Sequence, residues 1–91
     1  MFVWDEDKRL INIEKHGLDF CFAELALTGE TITFEDTRHD YGEKRLNTYG
    51  LLHGRLVIIT HMARDNTIRI ISMRKGNKRE QDFFKRATEK N

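Results

Sequence analysis

RLNTYGLLHGRLVIITHMARDNTIRIISMR, residues 45–74, decides the fold. Three segments of strand character, Arg45 to Leu52, Arg55 to Met62 and Thr67 to Arg74, are joined by His53–Gly54 and Asp65–Asn66. Gly, Asn and Asp tolerate positive φ, so each joint predicts a two-residue hairpin turn and the stretch predicts an antiparallel meander. The register follows from those turns. Arg45 then faces Met62, and Met62 faces Arg69, so the two arginines share a row. Arg64 falls on the same side, opposite Glu43, and three guanidinium groups are expected to converge near the Asp65–Asn66 turn. The other side carries Val57, Ile59, His61, Ile68, Ile70, Ser72 and Arg74. That more apolar side is expected to meet the core, with His61 a hydrogen-bonded core or edge residue in preference to a catalytic one. A one-residue slip or a bulge would invert these assignments.

Outside the meander, Thr31 to Glu35 alternates as a strand and leads into a polar connection from Asp36 to Glu43. Phe2 to Trp4 reads as a short strand. Asp5 follows as the N-cap of a helix that Gly17 stops. On that helix Lys8, Asn12 and Lys15 or His16 form a polar stripe expected to face solvent. A second, short helix is capped by Asp19, runs through Phe20, Phe22, Ala23, Leu25 and Ala26, and breaks at Thr28 and Gly29. At the other end Asn77, with Glu80 three residues on, has the spacing of a capping box and opens a helix whose apolar face is Phe83, Phe84 and Ala87. The expected class is α+β: N-terminal helices packed on an antiparallel β-meander with a C-terminal helix, in one domain spanning residues 1–91. A chain of 91 residues has room for one compact core.

The net charge of +1 conceals a sorted chain. Met1 to Glu43 is strongly acidic, and twelve of the sixteen Lys and Arg residues lie from Lys44 onward. Such asymmetry points to nucleic acid or an acidic protein as the partner of the basic half. No apolar run is long enough for a bilayer, and the N-terminus lacks the basic start and apolar stretch of a secretory signal, so a cytoplasmic chain with no membrane partner is expected. Cys21 is the only cysteine, so no internal disulfide is possible, and its neighbours Phe20, Phe22 and Ala23 suggest a buried thiol. The four histidines, His16, His39, His53 and His61, have no metal-ligand spacing. Asp36, His39, Asp40 and Glu43 are dense enough to ring a divalent cation but read as a polar connection. No metal and no cofactor is expected, and there is no glycine-rich phosphate loop.

Phe2, Trp4, Asp5, Lys8, Asn12, Lys15, His16, Gly17 and Phe20, then Gly42, Glu43, Arg45 and Gly50, then Arg69, Ile70, Ile71, Ser72 and Arg74 resemble the BrnT family of bacterial toxins. The combination of WDxxKxxxNxxKHG with RIISxR is far more specific than either half. This resemblance implies a RelE-like fold and ribonuclease activity that inhibits translation. It also implies a type II toxin–antitoxin pair that represses its own operon, in which a DNA-binding BrnA antitoxin neutralises the toxin and carries the complex to operator DNA. Arg45, Arg69 and Arg74 match motif positions of the family, whereas Arg64 and His61 enter from geometry. After the last motif arginine the family usually has an alanine-containing segment and a tyrosine near the final helix; this chain has Gly76, then Phe83 and Phe84.

Without a metal, RNA is cut when a ribose 2′-OH attacks its own phosphate, and arginines aimed at that phosphate stabilise the dianionic transition state. Arg45 and Arg69 are assigned to the scissile phosphate, and Arg74 and Arg64 to gripping the strand. Lys44, Lys75, Lys78 and Arg79 would add backbone-phosphate affinity that falls with salt. No general base stands out, since His61 has the right ordinary pKa but the wrong face. The competing expectation is a non-catalytic binding module whose basic sheet face docks an acidic protein or nucleic acid. Base stacking would need exposed aromatics among the arginines, and Tyr49 is the candidate by alternation.

Overall fold

The computed structural model describes residues 1–38, 40 and 42–89. Among them the order is β1 (Phe2–Trp4), α1 (Glu6–His16), a 3-10 turn (Phe20–Phe22), α2 (Ala23–Leu27), β2 (Ile32–Asp36), β3 (Arg45–Leu52), β4 (Arg55–Arg64), β5 (Thr67–Lys75) and α3 (Lys78–Thr88). The strands form one sheet in the order β1-β5-β4-β3-β2. β2 to β5 are antiparallel neighbours, but β1 runs parallel to β5, with Val3 opposite Arg69. The sheet is therefore mixed, where the sequence pointed to an antiparallel meander alone. A three-residue strand offers too little pattern to reveal its partner.

Both meander turns form as two-residue joints, since Leu52 pairs with Arg55 and Arg64 with Thr67. His53 and Gly54 both take positive φ, 52° and 80°; at the second turn Asp65 does so, at 56°. Pairing near the second turn follows the expected register, with Met62 opposite Arg69 and His61 opposite Ile70. Beyond it a bulge intervenes, and Thr60 pairs with Ser72, Ile59 with Met73 and Ile58 with Arg74. Ile71 is the extra residue. The shift reverses the faces of everything after it: Met73 enters the core fully buried, and Ser72 and Arg74 move to the side that carries Arg69. The expected place of Ser72 on the core side is corrected accordingly, and Arg74, which at the strand end could bend toward either face, is settled on the arginine side. The apolar demand of Ile70 and Met73, three residues apart in one core, is met only if β5 gains a residue between them.

The larger core lies on one face of the sheet and joins Val57, Ile59, Ile70, Met73 and Leu52 to Phe20, Ala23 and Ala26. Gly50 lets α2 approach closely, because a Cβ there would stand 2.7 Å from the Ala26 carbonyl oxygen. On the opposite face Phe84 of α3 packs with Leu56 and Ile58, and Ile32 and Tyr49 lie against them. Asn77 and Glu80 form the expected capping box, each side chain taking the other's backbone N–H at 2.8 Å. Gly76 sits where a Cβ would collide with the Leu56 side chain, which accounts for glycine after the arginine segment.

Two further expectations change. Lys8 and Lys15 of the expected stripe face water, but Asn12 between them is buried, and Leu10 and Ile11 are exposed as well. Cys21 is exposed, because the 3-10 turn directs Phe20 into the core and leaves the next side chain outside.

Candidate nucleic-acid interface

Strand alternation and the bulge together bring all four motif and geometry arginines to one face. Arg69 lies between Val3 on β1 and Met62 on β4. Arg64 lies on the same side, opposite Thr67. The next row is polar, Ser72, Thr60 and Asn47, and ends at Phe34 on β2. Arg74, Ile58, Tyr49 and Ile32 make the row after that, against α3. Arg45, half-buried, shares the alternation of Asn47 and Tyr49 and is opposite Asp36 on β2.

A groove of about 690 Å³ opens at the Asp65–Asn66 end of this face. Arg64, Arg69 and Lys44 line it together with Glu43 and Asp65, over apolar Met62 and Val3. Three cations against two carboxylates leave it net positive. Arg45 is on the same face one strand away but does not line the groove. Its neighbour Asp36 is buried and takes two 2.9 Å hydrogen bonds from the Arg38 guanidinium, which holds its carboxyl at about 2. Asp36 is thus a permanent counter-charge beside the Arg45 row.

Arg74 is four residues further along the β4 ladder from Met62, which at the usual strand rise is about 13 Å from the Arg69 row. It is held bidentately by Glu80 at 2.8 Å on both oxygens. That pairing raises the Arg74 pKa and lowers that of Glu80, and the same carboxylate caps α3. Burial, with the charge of Glu80, pushes the Tyr49 hydroxyl up. Lys75, opposite Val57, alternates away from this face. Lys78 pairs with Asp82 at 3.1 Å, and Arg79 is exposed in the first turn of α3.

His61 is not brought together with the arginines. It is buried on the other face, its Nε2 2.7 Å from the Thr48 hydroxyl, which in turn is 2.8 Å from that of Thr33. Burial lowers its pKa below the ordinary 6.5, so the folded state prefers neutral imidazole. The unfolded chain then binds more protons below pH ~6.5, and stability falls as pH drops through that value toward the depressed folded one. His16 shifts the same way, through burial and then the nearby cations Lys15 and Arg74. The denaturation midpoint is therefore expected to fall between roughly pH 7 and 5, and His61→Gln to flatten that slope. An unchanged slope in the variant would remove His61 from the account.

Residues that the sequence did not single out for the site are Asn47 and Thr60 of the polar row and Phe34 at its end, whereas Tyr49 is the stacking candidate that alternation gives. Thr60 donates to Asn47 Oδ1 at 2.7 Å, so this floor is ordered. Phe34, Tyr49 and Phe83 form an aromatic cluster with centroids 5.7 to 5.9 Å apart. The signal for Phe34 was its phase, which places it on the side of Tyr49. Among the described residues, no three His, Cys, Asp or Glu side chains gather as a metal site; His39, from the cluster weighed above, lies outside them. No described helix is long and apolar enough to cross a membrane.

Comparison with curated proteins finds no match. Residues 4–80 match the family described as the ribonuclease toxin, BrnT, of a type II toxin-antitoxin system. The matched segment runs from the Trp4 motif through the whole arginine face to Glu80, the carboxylate that holds Arg74. This chain belongs to the BrnT family of type II ribonuclease toxins, a family that implies an RNA target and an antitoxin partner.

Proposed function

We propose that the arginine face is the RNA site of a metal-independent endoribonuclease that inhibits translation in the cytoplasm and is neutralised by a BrnA-type antitoxin, through which the complex reaches operator DNA. The carrying observation is the β5 bulge, which joins Arg74 to the face that holds Arg45, Arg64 and Arg69. The reading includes a RelE-like fold, supported by a four-stranded meander with helical segments before it and α3 after it.

Arg69 and Arg45 stabilise the scissile phosphate as its 2′-oxygen bonds to phosphorus and the bond to the 5′-oxygen breaks. The 2′-OH proton passes to a carboxylate, and Glu43 and Asp65 are the two that line the groove. A proton returns to the departing 5′-oxygen. Arg64, Lys44 and Arg74 hold the flanking strand, with Lys75, Lys78 and Arg79 adding long-range attraction.

The test is RNA incubated with purified protein in EDTA. Expected products carry 2′,3′-cyclic phosphate and 5′-hydroxyl ends. Loss of all activity on chelation would sink the metal-free mechanism, and RNA that is retarded on a gel but stays intact would sink the enzyme. With a non-cleavable RNA, Arg64→Ala should lower the slope of log affinity against log salt by about one. An unchanged slope removes Arg64 from the phosphate contacts.

A further inference from the structure

We propose that Phe34 and Phe83 form a stacking platform for one unpaired RNA base beside the arginine face; this rests on the RNA reading above and names a subsite within it. Phe34 is 46% exposed and Phe83 37%, whereas Phe84, one residue on, is buried with Leu56 and Ile58. Their rings are tilted by 46° at a centroid distance of 5.9 Å, and Tyr49 braces both edge-on at 5.7 and 5.8 Å. Packing α3 on the sheet requires Phe84 with Leu56 and Ile58. Phe83 also meets the sheet through Phe34 and Tyr49, yet it and Phe34 each keep part of a ring open to water.

Their surroundings select the ligand. Phe34 ends the row of Asn47, Thr60 and Ser72, whose amide and hydroxyl groups match the edges of a base. Arg45 is its diagonal neighbour across β2 and β3, a separation of about 7–8 Å. One nucleotide can therefore rest its base on the ring and its phosphate near that guanidinium. The row on one side carries Arg69, in no ion pair among the described residues, so the strand continues over a cation there; the row on the other side carries Arg74, which Glu80 already holds. Aromatic faces with a cationic track are how single strands are held, and stacking tolerates any base because each has a π-face. A protein partner would have to desolvate those guanidinium groups, which a phosphate chain pairs.

The experiment is fluorescence anisotropy with a 2′-O-methyl RNA oligonucleotide, which binds without being cut, and a series carrying one abasic position at a time. Phe34→Ala is expected to weaken binding about tenfold, and Phe34→Trp to retain it. With the unsubstituted protein, one abasic position should cost a similar factor, and that oligonucleotide should no longer distinguish Phe34→Ala. Equal affinity across the abasic series overturns the platform without reference to any variant's folding. Unaltered RNA binding by Phe34→Ala overturns it too, and if antitoxin capture is lost instead, the rings are a protein contact. The RNA reading itself stands or falls separately, on cleavage that depends on Arg69.

Discussion

Arg69→Ala is expected to lower the rate of RNA cleavage by about two to three orders of magnitude, the usual loss on removing one preorganised donor from a transition-state oxyanion. Its side chain is exposed and in no ion pair among the described residues, so truncation should change stability by no more than about 0.5 kcal/mol. Arg74 differs, because Glu80 already neutralises it and binds it to the α3 cap. Arg74→Ala should accordingly weaken RNA binding less and cost more stability. Arg69→Lys keeps the charge but loses the planar fork, so it should recover only part of the rate. Single-turnover cleavage of Arg69→Ala beside Lys8→Ala, an exposed α1 residue, reads this directly. A folded Arg69→Ala protein with undiminished cleavage would place the chemistry elsewhere.

The meander was legible because turn chemistry and strand period agreed at every joint. His53–Gly54 and Asp65–Asn66 fix the loop lengths, and loop length fixes register, so the Arg69–Met62 row follows from the residues alone. The bulge is not legible in the sequence, because Ser72 and Arg74 continue the alternation of Ile68 and Ile70 as well as Met73 does after a shift. The trace it leaves is the doublet Ile70–Ile71, two apolar residues in succession where the period of two changes phase. Only the competition for the core decides between the phases. Met73 wins it over Ser72 and Arg74, since burying a methionine is favourable and burying an unpaired guanidinium is costly. The arginine face thus owes its fourth arginine to packing on the other side of the sheet. The sequence marks Phe34 as a strand residue and no more, because exposure depends on where α3 lands, which no local pattern records.

Asn12→Ala is expected to destabilise the protein by about 3 kcal/mol, because it strips partners from three backbone groups at once. β1 ends at Trp4, opposite Ile70, which leaves the outer edge of β5 without a strand beyond that point. The Asn12 carboxamide takes the strand's place. Its Oδ1 accepts from the Met73 N–H at 3.1 Å, and its Nδ2 donates to the Met73 carbonyl and to the Leu18 carbonyl, both at 2.9 Å. Alanine offers none of these, and helix propensity, which favours it, returns only about 0.7 kcal/mol or less. Asn12→Asp should cost more still, because its carboxylate would face two carbonyl oxygens without a donor for either. A domain of this length is stable by roughly 5–14 kcal/mol, so the loss should lower Tm by about 15 °C. Chemical denaturation measures the total, and hydrogen exchange at the Met73 amide shows where it arises. Met73 is also the residue whose burial sets the phase of β5 after the bulge, so the same variant should loosen Arg74 and weaken RNA binding. A variant with the original midpoint and a protected Met73 amide would mean that core packing alone holds the shifted register.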